Sequence, residues 1–125
     1  MARLEHVNIT VSDPKRSAAL MEALFGWKLR WEGPAINGGY TVHVGDDEDY
    51  LAFYTPPKTA APSAASYDIR GGLNHIGLVV DDLDAVEAAV VSAGLNPVNH
   101  ADYEPGRRFY FRDPDNVEYE IVSYA

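Results

Sequence analysis

"HVNITVSDPKRSAALMEALFGWKL" (His6–Leu29) and "HIGLVVDDLDAVEAAVVSAGLNPV" (His75–Val98) follow one pattern. Each opens on a histidine and runs through an apolar strand into a turn that contains aspartate. Each continues as an amphipathic helix and stops at a glycine. His6 pairs with His75, Val11 with Val80 and Asp13 with Asp82; one deleted residue brings Gly26 onto Gly94. Self-similarity of this kind means that one structural unit occurs twice.

The rest of each half completes the unit. Leu4–Val11 alternates and is β-branched, which predicts a strand. Ser12 or Asp13 caps the helix that follows, and Pro14 suits its first turn. Ala18, Leu20, Met21, Leu24 and Phe25 give that helix an apolar stripe, and Gly26 ends it. Trp27–Glu32, Gly39–Val44 and Tyr50–Thr55 are expected strands. In the second half Leu73–Val80 is a strand and Leu83–Ala93 a helix stopped by Gly94. Leu95–Asn99, Arg108–Arg112 and Val117–Ser123 are its remaining strands. Each half is therefore βαβββ. The prediction is an α+β fold in a single domain, 1–125, built of module 3–56, linker 57–71 and module 72–125. The linker lies in "PPKTAAPSAASYDIRG" (Pro56–Gly71), which has no period and is rich in Pro, Ala and Ser. Two such modules can pair as an incomplete β-barrel around a cleft.

The bulk properties bound the function. With 125 residues, 46% of them hydrophobic, the chain can bury one real core. It has no cysteine, so disulfides and thiolate metal sites are excluded; a reducing cytoplasm is compatible with this and is the expected location. No apolar run approaches the ~20 residues that span a bilayer, and "MARLEHVNIT" has no apolar leader segment. The net charge of −9, from 19 acidic and 10 basic residues, disfavours nucleic acid as a partner. "GDDEDY" (Gly45–Tyr50) reads as a solvated turn.

Strand parity then sorts the side chains. Val7, Ile9 and Val11 share the face that packs on the helix; His6, Asn8 and Thr10 point the other way. Ile76, Leu78 and Val80 are apolar, and His75 lies opposite them. In the last strand Val117, Tyr119 and Ile121 share one face, and Glu118, Glu120 and Val122 the other. His6, His75 and Glu120 can therefore face one interior. Two imidazoles and a carboxylate form a facial metal triad suited to Zn²⁺, Ni²⁺, Mn²⁺ or Fe²⁺. A single strand histidine is more often an ordinary polar residue than a ligand. The repeat-related placement of two of them, with a carboxylate to match, reverses that balance. His43 and His100 have no repeat partner and read as surface or rim residues.

These residues carry a resemblance. "LEHVNITVSD", "LNHIGLVVDDLD" and "FYFRDPDNVEYEIV" resemble the vicinal oxygen chelate superfamily, which includes glyoxalase I, extradiol dioxygenases, fosfomycin-resistance thiol transferases and bleomycin-binding proteins. Asn116 stands where that family's turn usually has Gly. The resemblance implies the βαβββ module. It also implies metal ligation by His6, His75 and Glu120, and an assembly that is often a homodimer. In the four-ligand pattern of glyoxalase I a further Glu comes from the fourth strand of the first module; here "DYLAFYT" places Ala52 at that position. A three-ligand site is more similar to the dioxygenase or thiol-transferase branches.

Two functions follow from the same residues. One is a metal-dependent enzyme of glyoxalase or dioxygenase type that chelates a small substrate through adjacent oxygens. Glu120 would be both ligand and base, and Asn8, Thr10, Tyr54, Tyr103, Arg107 and Tyr110 would line the pocket, with Arg107 available to a substrate carboxylate. The other is a metal-free protein that sequesters an aromatic, drug-like ligand between rings drawn from Trp27, Trp31, Tyr40, Phe53, Tyr54, Tyr103, Phe109 and Phe111. A family member that has lost activity is a third possibility, given Ala52.

Overall fold

A computed structural model describes residues 1–103 and 106–125. The chain divides into two compact units, Met1–Ala60 and Ala61–Ala125. The first contains strand β1 (His6–Thr10), helix α1 (Pro14–Phe25) and strands β2 (Lys28–Pro34), β3 (Tyr40–Gly45) and β4 (Tyr50–Thr55). The second contains β5 (Ile76–Val79), α2 (Leu83–Ser92), β6 (Val98–Tyr103), β7 (Gly106–Arg112) and β8 (Glu118–Ser123). The two sheets have equivalent orders, β1-β4-β3-β2 and β5-β8-β7-β6. In each, the first strand runs parallel to the last and the other pairs are antiparallel. The α+β class and the two βαβββ modules are as the sequence predicts. Each sheet is open, and neither closes into a barrel.

Local chemistry explains the boundaries. Asp13 caps α1 by accepting from the Arg16 N–H at 3.2 Å, and Pro14 follows at the first helical position. Asp82 caps α2 in the same way, accepting from Ala85 N–H at 3.0 Å. Gly26 ends α1 at φ 69°, a conformation that costs glycine little. The apolar sides of both sheets pack on their helices. Ile9, Met21, Leu24, Val42, Val44, Leu51 and Phe53 are buried in the first module. In the second, Ile76, Leu83, Val90, Phe109, Phe111, Tyr119 and Ile121 are buried.

One strand is displaced from its expected place. Leu95–Asn99 was the expected range, and β6 begins at Val98. The residues after α2 are engaged in ending the helix: Gly94 N–H donates to Val91 O and Leu95 N–H to Val90 O. Pro97 has no N–H to give a ladder. Asn99 takes φ 55°, and the pairing with β7 slips between Val98 and Ala101. The linker also has local structure, a short 3₁₀ turn at Ser66–Asp68.

The turn between β7 and β8 is fixed by one buried side chain. Asp113 Oδ1 accepts from Asp115 N–H and Val117 N–H, both at 2.9 Å, while Asn116 adopts φ 65°. No helix among the described residues is long and apolar enough to cross a membrane.

Two stability measurements test this account. Asp113→Ala strands two backbone donors, and urea denaturation should show a loss of about 3 kcal/mol. Tyr119 is fully buried, and its hydroxyl has no hydrogen-bond partner among the described residues. Tyr119→Phe should therefore stabilise by about 1 kcal/mol, and a destabilised variant would contradict the assignment.

Candidate functional site

The second module has a polar sheet face. Along β8, Tyr119 and Ile121 turn towards α2, so Glu118 and Glu120 take the opposite side. Along β7 the same alternation puts Arg108, Tyr110 and Arg112 with the two acids. The ladder places Tyr110 across from Glu120 and Arg112 across from Glu118. On the other flank Glu120 lies beside Gly77 of β5. Gly77 has no side chain, and the atom nearest to where a Cβ would stand is Glu120 Oε1, at 3.8 Å. The absent side chain leaves that oxygen room over β5.

Glu120 Oε2 accepts a short hydrogen bond from the Tyr110 hydroxyl and lies 3.8 Å from Arg108. That bond to a carboxylate, with burial second, pushes the Tyr110 phenol up to about 12. Tyr110 therefore stays protonated and donating at neutral pH. Arg108 in turn lies over the Tyr103 ring at 5.4 Å.

His75 stands one residue before β5. Its Nδ1 is 3.3 Å from the Tyr67 hydroxyl and 3.3 Å from Glu118 Oε2. The ring meets Tyr110 edge-on, with centroids 5.7 Å apart. Glu118 is nearly buried, at 10% side-chain exposure, and both its oxygens are engaged. Oε2 accepts from Tyr67 at 2.5 Å and Oε1 from Arg112 at 2.9 Å. The hydrogen bond to Glu118 raises the Tyr67 phenol above its ordinary value.

The equivalent face of the first module is built from rings. His6 lies opposite Tyr50, and Asn8 opposite Ala52. His6 stacks on Tyr50 at 4.9 Å, Tyr50 on His43 at 4.7 Å, and His43 tilts against Trp31 at 5.3 Å. The four rings come from four strands and cross the sheet as a ladder. The Arg30 guanidinium caps Tyr50 at 4.7 Å. His6 Nδ1 meets Glu5 Oε1 at 2.9 Å, and this bond lowers the Glu5 carboxyl.

The two registers match position for position. Tyr50 stands where the second module has Glu118, Ala52 where it has Glu120, and His43 where it has Tyr110. The fourth strand of the first module thus carries no carboxylate beside its histidine. Ala52 is 1% exposed, and His43 is its cross-strand neighbour.

The other candidates are placed as follows. Asn8 and Thr10 are exposed on the His6 side of β1. Tyr54 has Ala52's parity, but its hydroxyl donates to Ile36 O at 2.8 Å and ties down the turn after β2. Arg107 turns to the α2 side, where it pairs with Asp84 at 3.0 Å. It does not reach the face of the two acids; Arg108, one residue on, does. His100 is also on the helix side, paired with Glu87 at 2.9 Å. Phe53, Phe109 and Phe111 are core rings with no exposure, so they line no cleft. Sequence reasoning missed Tyr50, Arg108 and Tyr67. Parity with Tyr110 was enough to find Arg108; nothing in the linker marked Tyr67.

Among the described residues, no three His, Asp or Glu side chains are grouped to hold a metal ion. The donor chemistry nonetheless suits one. Both repeat-related histidines have Nδ1 against a carboxylate, Glu5 or Glu118, which leaves Nε2 as the ring's ligating nitrogen. Glu120 keeps Oε1 clear of the Tyr110 hydroxyl.

Residues 3–121 match the profile of the Glyoxalase/Bleomycin resistance protein/Dioxygenase superfamily. The chain belongs to this superfamily. It is 25% identical over 136 residues to the uncharacterized protein YaeR of Escherichia coli (strain K12), covering 98% of this chain and 97% of that one. Among solved structures, the chain is similar to a glyoxylase/bleomycin resistance protein/dioxygenase domain from Frankia sp. EAN1pec, with a TM-score of 0.83, 21% identity and 98% of each chain covered. The fosfomycin resistance protein FosX from Mesorhizobium loti gives a TM-score of 0.72 at 23% identity, covering 98% of this chain and 91% of that one. TnmS3, an antibiotic binding protein from Streptomyces sp. CB03234, gives 0.73 at 16% identity, covering 100% and 98%. At these identities the structures share the fold.

The ring ladder predicts a pH response. Burial first, then the neighbouring His6 charge, lowers His43 from 6.5. The folded state favours the neutral ring, so this contribution to stability is full above 6.5 and is lost as pH falls through the folded-state value. An NMR titration should place the His43 midpoint below 6.5, with the resonance assigned by its loss in His43→Gln. Urea midpoints of the wild type should drop over the same window more than those of the variant.

Proposed function

We propose that this chain is a divalent-metal-dependent enzyme of the superfamily, acting on a small substrate with two adjacent oxygens. His6, His75 and Glu120 would hold the ion, His6 being supplied by the same chain or by a second copy in a homodimer. The ion, when bound, would polarise the substrate oxygens and stabilise a developing enolate. The observation that carries the reading is the common arrangement of the two repeat-related imidazoles. Each has Nδ1 against a carboxylate, at 2.9 Å in one case and 3.3 Å in the other. Histidines that ligate metals are held in this way.

The remaining roles belong to the residues around Glu120. On its face of β8, Glu118 has both oxygens engaged, so Glu120 is the acid left to accept a substrate proton. Tyr110 fixes the Glu120 rotamer through its hydrogen bond and keeps its own proton at neutral pH. Arg108 provides positive charge at the same edge. Tyr103 is the exposed ring beside Arg108, open to the flat part of a substrate.

The ladder of Trp31, His43, Tyr50 and His6 favours a second reading, a binder of planar aromatic ligands that needs no metal. Trp31 is 52% exposed at its outer end. Rings offered at stacking distance recognise flat ligands without chemistry.

Elemental analysis of freshly purified protein separates the two. About one equivalent of transition metal is expected in the wild type, falling sharply in His75→Ala and Glu120→Gln. Less than about a tenth of an equivalent, unchanged in the variants, would leave the binding reading standing alone. With metal present, turnover assays on a hemithioacetal, a catechol and an epoxide plus thiol would identify the branch.

A further inference from the structure

We infer that Tyr67, Glu118 and Arg112 are positioning residues that lock His75 in the tautomer with its proton on Nδ1, so that Nε2 presents its lone pair. The argument is a count of protons. Tyr67 has one hydroxyl hydrogen. Its oxygen is 2.5 Å from Glu118 Oε2, a distance that needs a proton between the two. Both oxygens of Glu118 act as acceptors, Oε2 from the Tyr67 hydroxyl and Oε1 from Arg112 at 2.9 Å. The shared proton is therefore the tyrosine's. The Tyr67 oxygen, 3.3 Å from His75 Nδ1, can then only accept from the ring. Glu118 Oε2, at 3.3 Å from the same nitrogen, can also only accept. Two acceptors face Nδ1, so Nδ1 carries the hydrogen.

The arrangement recruits three separate parts of the second unit. Tyr67 comes from the 3₁₀ turn of the linker, Glu118 from the start of β8 and Arg112 from the end of β7. Tyr67 is 57% exposed, so its burial does not explain its place. Its hydroxyl does, because it satisfies a carboxylate that is only 10% exposed. The linker is thus part of the site as well as a connection.

The consequence for affinity rests on the proposed metal-dependent function; the tautomer does not. The test is long-range ¹⁵N–¹H NMR of the histidine rings in metal-free protein, at a pH where the imidazoles are neutral, with His75 assigned by His75→Gln. The wild type should show His75 Nδ1 protonated and Nε2 bare. Glu118→Gln and Tyr67→Phe should each shift the ring towards a mixture of tautomers. Zn²⁺ titration should then show an affinity loss of roughly 10- to 100-fold for Glu118→Gln. Wild-type His75 protonated on Nε2, or a tautomer unchanged in both variants, would overturn the inference. A wild type that shows the expected tautomer but takes up no Zn²⁺ would overturn the metal-dependent function and leave the positioning role intact.

Discussion

The site depends on strand register. Side chains alternate with a period of two, so a slip of one residue would carry every functional group of β8 to the helix side. Tyr119 would enter the polar face, and Glu118 and Glu120 would be driven against Phe109 and Phe111. Asp113 prevents this by holding the turn before β8 through two backbone N–H groups. Asn116 contributes by tolerating a left-handed backbone in that turn. The hydrophobic requirement acts in the same direction, because Tyr119 and Ile121 are fully buried only in the observed register. Turn chemistry and core packing thus agree on a single pairing.

The two modules show how far one backbone can diverge in chemistry. At matched positions the first carries Tyr50, Ala52 and His43, and the second Glu118, Glu120 and Tyr110. In the first set Tyr50 and His43 stack, with His6 and Trp31 on either side. The second set forms a network in which two carboxylates are each held by a tyrosine and an arginine. A nearly buried carboxylate without such partners would carry a large desolvation cost. Arg108 and Arg112 therefore have a structural reason for being on this face that is independent of any ligand. In the first module, where Tyr50 and Ala52 stand in place of those two carboxylates, the Arg30 guanidinium lies over the Tyr50 ring.

Most of the fold was legible because it is written in short-range patterns. The repeat, the two caps, the glycine stops and the alternation of β1 and β8 are all local. The β6 strand was misplaced because residues 94 and 95 serve the end of α2, and that demand is invisible until the helix end is placed. Of the site, parity correctly opposed His6, Glu118 and Glu120 to the core. On β7, Arg107 and Arg108 compete for that face. Charge alone points to Arg107, but the alternation that buries Phe109 assigns it to α2 and Asp84. Tyr67 was illegible for a different reason. Its role comes from a linker with no period, across 51 residues from Glu118.

The two histidines look alike in sequence but are held with different firmness. Glu5, the neighbour of His6 in the chain, is 58% exposed, and its pair with the ring is open to water. Exposed pairs of this kind contribute little to fixing a side chain. Glu118 is 10% exposed and reaches His75 from another strand, with Tyr67 and Arg112 on its two oxygens. A low local dielectric and mutual polarisation strengthen such a network. His75 is therefore firmly held and His6 freer to adjust. Tyr50 limits that adjustment from one side, since its stacked ring keeps His6 flat against β4. The second module thus holds its histidine through a carboxylate network, and the first through ring stacking and one exposed pair.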